Sequence, residues 1–306
     1  MTGSVQAGQG AAVAATVATV WTSPDAVRPR DAPAIAAVPD VPGWVSGMSR
    51  EDRLDLHDRT LTQLLLGDWV LVEETVGGWA KVIVPDQPCA RLDPRGYPGW
   101  LPAAHLVPSG AVAPSVAQVY VVDAMMIGLC ATAGGDPVMP GVVLGTRLPA
   151  AGQARRGYLP VLVPGRAEPL WASWSDLVPA PTQPATAKQI LEVAQRLVGV
   201  PYIWGGLSPR GIDCSGLVHL AHRRFGPVVP RDAGDQADAT RPLGLDEEQS
   251  GDLYFFGRTD AEIHHVGFVT GDRQILHASQ SAGRVQQDTL AGELADTLLA
   301  THRTCG

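Results

Sequence analysis

The last third of the chain begins with a helical period of apolar residues and continues with a strand period. A proline-rich segment at 179–184 precedes it, and residues 186–198 then carry apolar side chains every three or four positions. Thr186 suits the N-cap of this helix and Gly199 suits its end. A second helix is predicted from about residue 213 to about residue 225 on the same grounds. Its predicted inward-facing residues are Leu217, Val218, Leu220, Ala221 and Phe225.

Strand-like runs follow these two helices. They lie at about 253–256, 265–270 and 274–278. Helices followed by antiparallel strands are the order of an α+β domain, not of an alternating β-α fold. We therefore predict an α+β domain over residues 181–306.

The first 180 residues contain a weak internal repeat. Leu66-Gly67 is followed by Trp79 in a strand-like run, and Leu144-Gly145 is followed at nearly the same spacing by Tyr158. Each unit then closes with a tryptophan and a Leu-Val-Pro sequence. Short β-rich runs with glycine turns predict two small β-barrels, at 1–110 with an N-terminal extension and at 111–180. Chance similarity within a β-rich chain is the alternative.

Composition and charge exclude several classes of partner. The chain has 306 residues and a formal net charge of −8, with no basic stripe, which argues against nucleic acid. The apolar N-terminus, 1–20, lacks the Lys or Arg of a secretory signal. No apolar stretch approaches the roughly 20 residues that span a bilayer. We expect a cytoplasmic monomer that does not bind membranes.

Four cysteines are present and they are widely separated. Cys89, Cys130, Cys214 and Cys305 show no paired spacing, so neither a disulfide framework nor a zinc site is predicted. We expect no metal and no organic cofactor.

Cys214 is the candidate nucleophile. It begins the second predicted helix, with Asp213 as the N-cap, and the free N–H groups and the dipole of a helix N-terminus favour a thiolate there. The same N–H groups suit the oxyanion of a tetrahedral intermediate. We predict a depressed thiol pKa and cysteine-nucleophile catalysis. The alternative is a buried structural cysteine.

Two histidines in strand-like sequence are candidate partners of Cys214. His264 and His265 are adjacent, so in a strand they point to opposite faces. We choose His265 as the general base, because Gly267 on the same face leaves room for a substrate. His277 is predicted to orient His265 from the neighbouring strand, although a packed or surface histidine is the alternative.

Three further residues allow two interpretations each. His219 and His222 lie one turn apart and resemble a metal pair, but without a third ligand nearby we favour a solvated helix face. The phenol of Tyr202, which precedes Cys214, either stabilises the oxyanion or simply packs.

The motifs together resemble the NlpC/P60 family of cell-wall cysteine peptidases. They are Tyr202-Ile-Trp-Gly-Gly, Asp213-Cys-Ser-Gly-Leu-Val, His265-Val-Gly and Ile275-Leu-His277. The resemblance covers about residues 186–306. It implies a papain-like α+β fold, a triad of Cys214, His265 and His277, and an oxyanion contact from Tyr202.

The upstream region resembles one branch of that family, the γ-D-glutamyl-L-diamino acid endopeptidases with N-terminal bacterial SH3-like barrels. Three segments carry this likeness: 62–68, 78–82 and 96–100. The resemblance implies murein stem peptides with a free N-terminal L-Ala as substrates. It also implies cleavage between the γ-carboxyl of D-Glu and a diamino acid.

Substrate-binding residues follow from the same resemblance. The positions that match the free-amine site are Asp68, Tyr97 and Asp232, and the substrate contacts also include Ser215 and Trp204. Two positions depart from the branch pattern: Asp68 stands where Glu is expected, and Ala233 stands where Ser is expected. Asp232 by itself also suits the N-cap of a helix at 232–239.

The sequence thus predicts a cysteine peptidase that trims murein-derived peptides during wall recycling. Two alternatives remain open at this point. One is an amidase or acyltransferase that uses the same thioester chemistry with another acceptor. The other is a protein that binds wall peptides and has an idle peptidase domain.

Overall fold

A computed structural model describes residues 4–109, 118–226, 228–244, 247–259 and 262–304. Its strands and helices fall into three groups along the chain. We call them the first β-region (residues 4–109), the second β-region (118–180) and the C-terminal region (181–304). Cys305 lies outside the described residues.

The first β-region contains one antiparallel sheet and three short helices. Its strands are β1 (Gly10–Val13), β2 (Val17–Trp21), β3 (Thr60–Leu65), β4 (Trp69–Val76), β5 (Trp79–Val84), β6 (Tyr97–Pro102) and β7 (Leu106–Pro108), and its helices are α1 (Ala32–Ile35), α2 (Val41–Ser46) and α3 (Arg50–Leu54). The sheet order is β3-β2-β6-β5-β4-β1-β7. No pairing between described strands joins its two edges, so the first SH3-like barrel is not confirmed.

The second β-region forms two smaller sheets. Its strands are β8 (Val119–Val122), β9 (Met126–Cys130), β10 (Pro137–Val143), β11 (Arg147–Pro149), β12 (Tyr158–Val161), β13 (Leu170–Ser173) and β14 (Leu177–Pro179). The sheet orders are β10-β9-β13-β12 and β11-β8-β14. Among the strands described here no closed barrel forms, and the second barrel is likewise not confirmed.

The internal repeat corresponds to repeated local structure. Gly67 and Gly145 both adopt a positive φ, 87° and 82°, in the turn that follows a strand. Trp100 lies in β6 and Trp171 in β13, and each strand leads through a 3-10 turn into a Leu-Val-Pro strand, β7 or β14. The two units therefore share these local features.

The C-terminal region is the predicted α+β unit. Its helices are α4 (Ala187–Gln195), α5 (Cys214–Arg223), α6 (Ala233–Asp238) and α7 (Glu293–Asp296), and its strands are β15 (Leu207–Ser208), β16 (Gly211–Ile212), β17 (Arg241–Pro242), β18 (Leu253–Gly257), β19 (Ile263–Gly271), β20 (Gln274–Ser279), β21 (Arg284–Thr289) and β22 (Leu298–Arg303). The main sheet has the order β17-β22-β18-β19-β20-β21. Helix α5 packs against β19 and β20, which brings the N-terminus of α5 to the histidine strands.

Both predicted helix starts are confirmed. Thr186 caps α4 in a capping box with Gln189, and Gly199 follows the helix with φ 89°. Asp213 caps α5 by accepting a 2.7 Å hydrogen bond from the N–H of Gly216.

His219 and His222 do not lie on a solvated face, and that prediction is wrong. They are only 2% and 3% exposed, and each Nδ1 lies 2.8 Å from a backbone carbonyl oxygen, of Val229 and Val218 respectively. Burial lowers the pKa of His219 to about 3, so the ring is neutral at pH 7. These histidines are part of the helix packing because α5 is covered on every side.

One hydrophobic core is shared by the regions. Val17, Trp21 and Leu56 of the first β-region and Leu144 of the second belong to the same cluster of buried side chains as the apolar face of α5. The domain boundaries predicted from the sequence stay a prediction. Within the described ranges, no helix is long and apolar enough to cross a membrane.

Candidate active site

The first turn of α5 places Cys214 at the junction of the α5 N-terminus and β19. Cys214 is the first residue of the helix, and its thiol receives hydrogen bonds from the backbone N–H groups of Val266 and Ser215. Because Val266 directly follows His265, these contacts bring the thiol to the histidine strand. The prediction that Cys214 and His265 meet at the helix N-terminus is consistent with this placement.

Arg231 holds Asp213, the N-cap residue of α5, in position. It is fully buried, and its Nη1 and Nη2 donate to the two carboxylate oxygens of Asp213 at 2.9 and 2.7 Å. Three more acceptors take the other donors: Ser215 Oγ (3.0 Å), Gly206 O (3.2 Å) and Thr62 Oγ1 (2.8 Å). All five guanidinium N–H groups are thereby satisfied. The arrangement locks the helix N-terminus against β3 of the first β-region.

Burial governs the protonation of Cys214. It raises the pKa of the thiol to about 12, and the Asp213 carboxylate acts in the same direction, whereas the N–H groups of Val266 and Ser215 act against it. The prediction of a depressed thiol pKa from the helix N-terminus is wrong, because the burial of the sulfur outweighs the dipole. The resting nucleophile is therefore a neutral thiol that needs a base.

A chain of hydrogen bonds sets the tautomer of that base. His265 Nε2 lies 2.7 Å from His277 Nδ1, and His277 Nε2 lies 2.9 Å from a carboxylate oxygen of Asp288. An ionised carboxylate only accepts, so His277 carries its proton on Nε2 and accepts with Nδ1. His265 must then donate from Nε2, which leaves the lone pair of its Nδ1 for the thiol proton. The predicted role of His277 agrees with this geometry.

Asp288 is held in place and stays ionised. It also accepts a 2.7 Å hydrogen bond from the side chain of Gln286. Partial burial tends to raise its pKa, but the hydrogen bonds from His277 and Gln286 prevail and the pKa is lowered. The sequence analysis missed Asp288. The sequence signal that could have found it is the hairpin of β20 and β21. In this hairpin Asp288 lies opposite Ile275 and therefore diagonal to His277.

His265 is a neutral base. Burial lowers its pKa to about 3, and the neighbouring His277 contributes in the same direction. Gly267 does not make room for a substrate as predicted. A Cβ there would lie 2.6 Å from the Ile275 side chain and 2.8 Å from His277 Cβ, so the glycine admits the neighbouring strand. It lets His277 approach His265.

A cavity of about 490 Å³ opens at Cys214, and both the first β-region and the C-terminal region line it. Most of the predicted site residues lie on its wall: Tyr97, Tyr202, Trp204, Cys214, Ser215 and Asp232. Burial and the neighbouring charges keep the pKa of Tyr202 well above its usual value, so its phenol remains a donor. His264 is exposed and lies on the wall of the cavity.

Acidic groups cluster in the cavity beside Cys89. The Tyr97 hydroxyl donates to Asp232 Oδ2 at 2.9 Å, and the Cys89 thiol lies 3.6 Å from Asp232 Oδ2 and 3.5 Å from Asp235 Oδ2. Asp232 begins α6 but makes no capping hydrogen bond with its side chain. Burial raises the pKa of Asp232, against the opposing effects of Arg231 and Tyr97. Its carboxyl group lines the cavity.

Cys89, Asp232 and Asp235 are also the residues that could hold a metal ion. Their ligand atoms lie within 4.8 Å of one another, the only such group of three among the described residues. Burial and the two carboxylates raise the pKa of Cys89, so this thiol is neutral. Cys89 and Asp235 were not foreseen from the sequence, because they meet only when the first β-region folds over α6.

The structure does not bring Asp68 to the cavity, and its predicted place in the amine site is wrong. Asp68 is 6% exposed and forms a buried ion pair with Arg223, and it accepts a 2.9 Å hydrogen bond from the N–H of Leu65. The acidic residue that the same region supplies to the cavity wall is Asp58, with φ 63° and an exposed side chain. Ala233 also lines the cavity, as its position next to Asp232 requires.

A thiol at a helix N-terminus, a histidine pair oriented by a carboxylate and a cavity that opens on the thiol define a cysteine hydrolase. The profile of the NlpC/P60 family matches residues 199–304. The γ-D-glutamyl-L-lysine dipeptidyl-peptidase of Bacillus subtilis (strain 168) is 35% identical over 298 residues, which are 96% of this chain and 98% of that protein. The chain belongs to the NlpC/P60 family, and it is a cysteine peptidase.

Two further relatives agree with this assignment. The γ-D-glutamyl-L-lysine dipeptidyl-peptidase of Bacillus cereus is 30% identical over 281 residues, which are 88% of this chain and 83% of that protein. The crystal structure of an NlpC/P60 family protein from Bacillus cereus superimposes with a TM-score of 0.89 at 28% identity, over 96% of this chain and 99% of that chain. The similarity therefore extends through both β-regions.

Proposed function

We propose that this protein hydrolyses the bond between the γ-carboxyl of D-Glu and a diamino acid in murein stem peptides that have a free N-terminal L-Ala. One observation carries the proposal: the cavity that opens on Cys214 is also lined by Asp232 and Asp235. The Tyr97 hydroxyl donates a hydrogen bond to Asp232 in the same cavity. Such a site fits a short peptide whose ammonium group lies near the scissile carbonyl. The names of the Bacillus relatives support the same substrate class.

The chemistry follows from the proton positions. His265 Nδ1 takes the thiol proton while the sulfur of Cys214 attacks the γ-carbonyl carbon, and the carbonyl oxygen becomes an oxyanion. In this mechanism the backbone N–H of Cys214 and the Tyr202 hydroxyl stabilise that charge. The protonated His265 then gives its proton to the leaving amine. Water, deprotonated by the same ring, hydrolyses the thioester and restores the thiol.

Recognition of the free amine explains why a β-region covers the peptidase site. Burying an ammonium costs several kcal/mol unless carboxylates pair with it. Asp232 and Asp235 supply that pairing, and Asp58 adds negative charge on the cavity wall. A glycan-linked or acetylated L-Ala has no such charge and is bulkier. We infer that the substrates are peptides already released from glycan strands, which suits wall-peptide recycling by a cytoplasmic monomer.

The direct test compares L-Ala-γ-D-Glu-L-Lys with its N-acetylated form. We expect kcat/KM to be at least ~10²-fold higher for the free amine, which corresponds to about 3 kcal/mol. The Asp232→Asn variant should lose most of this preference, whereas Asp272→Asn, on an exposed turn, should keep it. Mass spectrometry should detect L-Ala-D-Glu and free lysine. Equal rates on both peptides, or rapid lysis of intact sacculi, would contradict the proposal.

A further inference from the structure

One arginine stands among the acidic residues of the active-site cavity. The wall includes four aspartates, Asp58, Asp213, Asp232 and Asp235, and in the described part of the chain Arg91 is the single lysine or arginine that lines it. Arg91 lies next to the acidic cluster, because its backbone N–H donates to Asp235 Oδ1 at 3.3 Å. The cavity therefore presents a cationic group directly beside its anionic cluster.

The Arg91 guanidinium is held in position by α6. Its Nη2 donates to Asp238 at 2.8 Å and to the carbonyl oxygen of Gly234 at 3.5 Å, and its Nε contacts Asp238 at 3.3 Å. The Nη1 atom has no acceptor within reach in the part of the chain that the structure describes. Arg91 is thus anchored on one side and keeps two N–H donors to offer.

Gly234 makes this position possible. A Cβ on Gly234 would lie 2.7 Å from Arg91 Nη1 and 2.9 Å from Cζ, which is closer than real Cβ contacts. The absence of a side chain lets the guanidinium lie close to the first turn of α6, where it contacts Asp238 and the carbonyl oxygen of Gly234. A larger residue would push Arg91 away from the cavity.

We propose that Arg91 binds the α-carboxylate of the γ-linked glutamyl residue and selects substrates in which this carboxylate is not amidated. The inference rests on the proposed function. A γ-linkage leaves the α-carboxylate of glutamate free and negatively charged, one residue away from the N-terminal ammonium. The cavity has the matching order of charges, with Asp232 and Asp235 for the ammonium and Arg91 for the carboxylate. Without a cation, that carboxylate would be repelled by Asp58, Asp232 and Asp235.

Arginine suits this task because its guanidinium is always charged and the two N–H groups of Nη1 can make charge-assisted hydrogen bonds to a carboxylate. A carboxamide in the same place loses the charge and presents an NH₂ group to the guanidinium. The N–H groups of the carboxamide would then face the N–H groups of Arg91, and these cannot hydrogen-bond to each other. The site therefore discriminates between a glutamyl and an isoglutaminyl substrate, which differ by one functional group on the residue whose γ-carbonyl is attacked.

The test is a cycle of two peptides and four enzymes. The peptides are L-Ala-γ-D-Glu-L-Lys and its analogue with an α-carboxamide on the glutamyl residue. The enzymes are the native protein, Arg91→Met, Arg91→Lys and the matched control Arg95→Met. Arg95 pairs with Asp93 and Glu73 and does not line the cavity.

We expect the native enzyme to cleave the carboxylate peptide with a kcat/KM about 10- to 100-fold higher, the range for a charge-assisted hydrogen bond. The ratio should fall to about 1 or below in Arg91→Met, recover in part in Arg91→Lys, and stay at the native value in Arg95→Met. Equal rates for both peptides in the native enzyme would overturn the inference. So would an Arg91→Met variant that loses activity on both peptides equally, since this would make Arg91 a structural tie between α6 and the first β-region.

Calorimetry separates this inference from the proposed function. L-Ala-D-Glu and L-Ala-D-isoglutamine are titrated into the Cys214→Ala variant with and without Arg91→Met. A preference for the carboxylate form that Arg91→Met removes supports the inference even if neither tripeptide is cleaved. The same affinity for both dipeptides, or no binding of either, contradicts it.

Discussion

At the scale of single residues, burial determines how the nucleophile works. It favours the neutral forms of both Cys214 and His265, since it raises the pKa of the thiol to about 12 and lowers that of the imidazole to about 3. The resting pair is therefore SH and neutral imidazole, not a thiolate–imidazolium ion pair. The proton moves when the substrate carbonyl is attacked.

This protonation state predicts the pH dependence of alkylation. Because the thiol pKa is raised, the iodoacetamide reaction of Cys214 should be slow at pH 6.5 and should accelerate steadily up to pH 9. The rate can be followed by mass spectrometry of the Cys214 peptide, with Cys130 as the internal reference. A constant fast rate below pH 7 would instead reveal an ion pair.

Asp288 offers a second prediction at this scale. In Asp288→Asn, the amide can donate to His277 Nε2, which permits the tautomer with the proton on His277 Nδ1. The hydrogen bond to His265 is then reversed, so that His265 accepts with Nε2, carries its own proton on Nδ1 and cannot take the thiol proton. We expect kcat to fall about 10- to 100-fold, as for other outer partners of a reactive group, with KM almost unchanged. The pH–rate profile should shift as well. Gln286→Leu, which removes only a donor to Asp288, is the milder comparison, and an unaltered profile in Asp288→Asn would exclude the positioning role.

At the scale of elements, sequence patterns were sufficient to predict the helices and strands that carry the catalytic residues. The cap of α4, the start of α5 at Cys214 and the three strands β18, β19 and β20 follow from local rules of capping and alternation. Such rules depend only on residues that are close together in the sequence. They do not predict the role of Asp288, which arises from pairing across a hairpin, or that of Cys89, which arises from packing between regions.

The N-terminus of α5 gives a prediction about stability. Lysine has three donors where Arg231 uses five, so Arg231→Lys leaves buried acceptors around Asp213 unsatisfied. We expect a loss of about 2–4 kcal/mol in the free energy of unfolding, measured by urea denaturation. Arg196→Lys, which changes a half-exposed pair with Asp123, should cost little. A similar small loss for both variants would show that the cap does not depend on the guanidinium.

At the scale of the whole molecule, the three regions share a hydrophobic core. The core that surrounds α5 includes residues from both β-regions, and Arg223 at the end of α5 joins Asp68 to the carbonyl oxygen of Gly145. This contact explains why Asp68 was misassigned. Its place in the sequence matched a substrate contact, but in three dimensions it lies at the joint between the three regions.

Substitutions of Asp68 and of Asp58 should therefore have opposite effects on stability and on substrate preference. Asp68→Asn breaks a buried ion pair and should cost about 3–5 kcal/mol of stability, while the preference for free-amine peptides persists. Asp58→Asn should leave stability nearly unchanged, because asparagine tolerates the positive φ of this position, but should weaken the preference. Thermal unfolding and kcat/KM ratios measured on both variants check the pair. The reverse pattern would return Asp68 to the amine site.

The cavity combines a nucleophile from one region with Cys89, Arg91 and Tyr97 from another. Inhibitor design can use that combination. A short electrophile with a free ammonium and a neighbouring carboxylate would react with Cys214 while residues of the first β-region contact the rest of the molecule. Peptidases that share only the catalytic segment lack those contacts, so such a compound would distinguish this enzyme from relatives with identical chemistry.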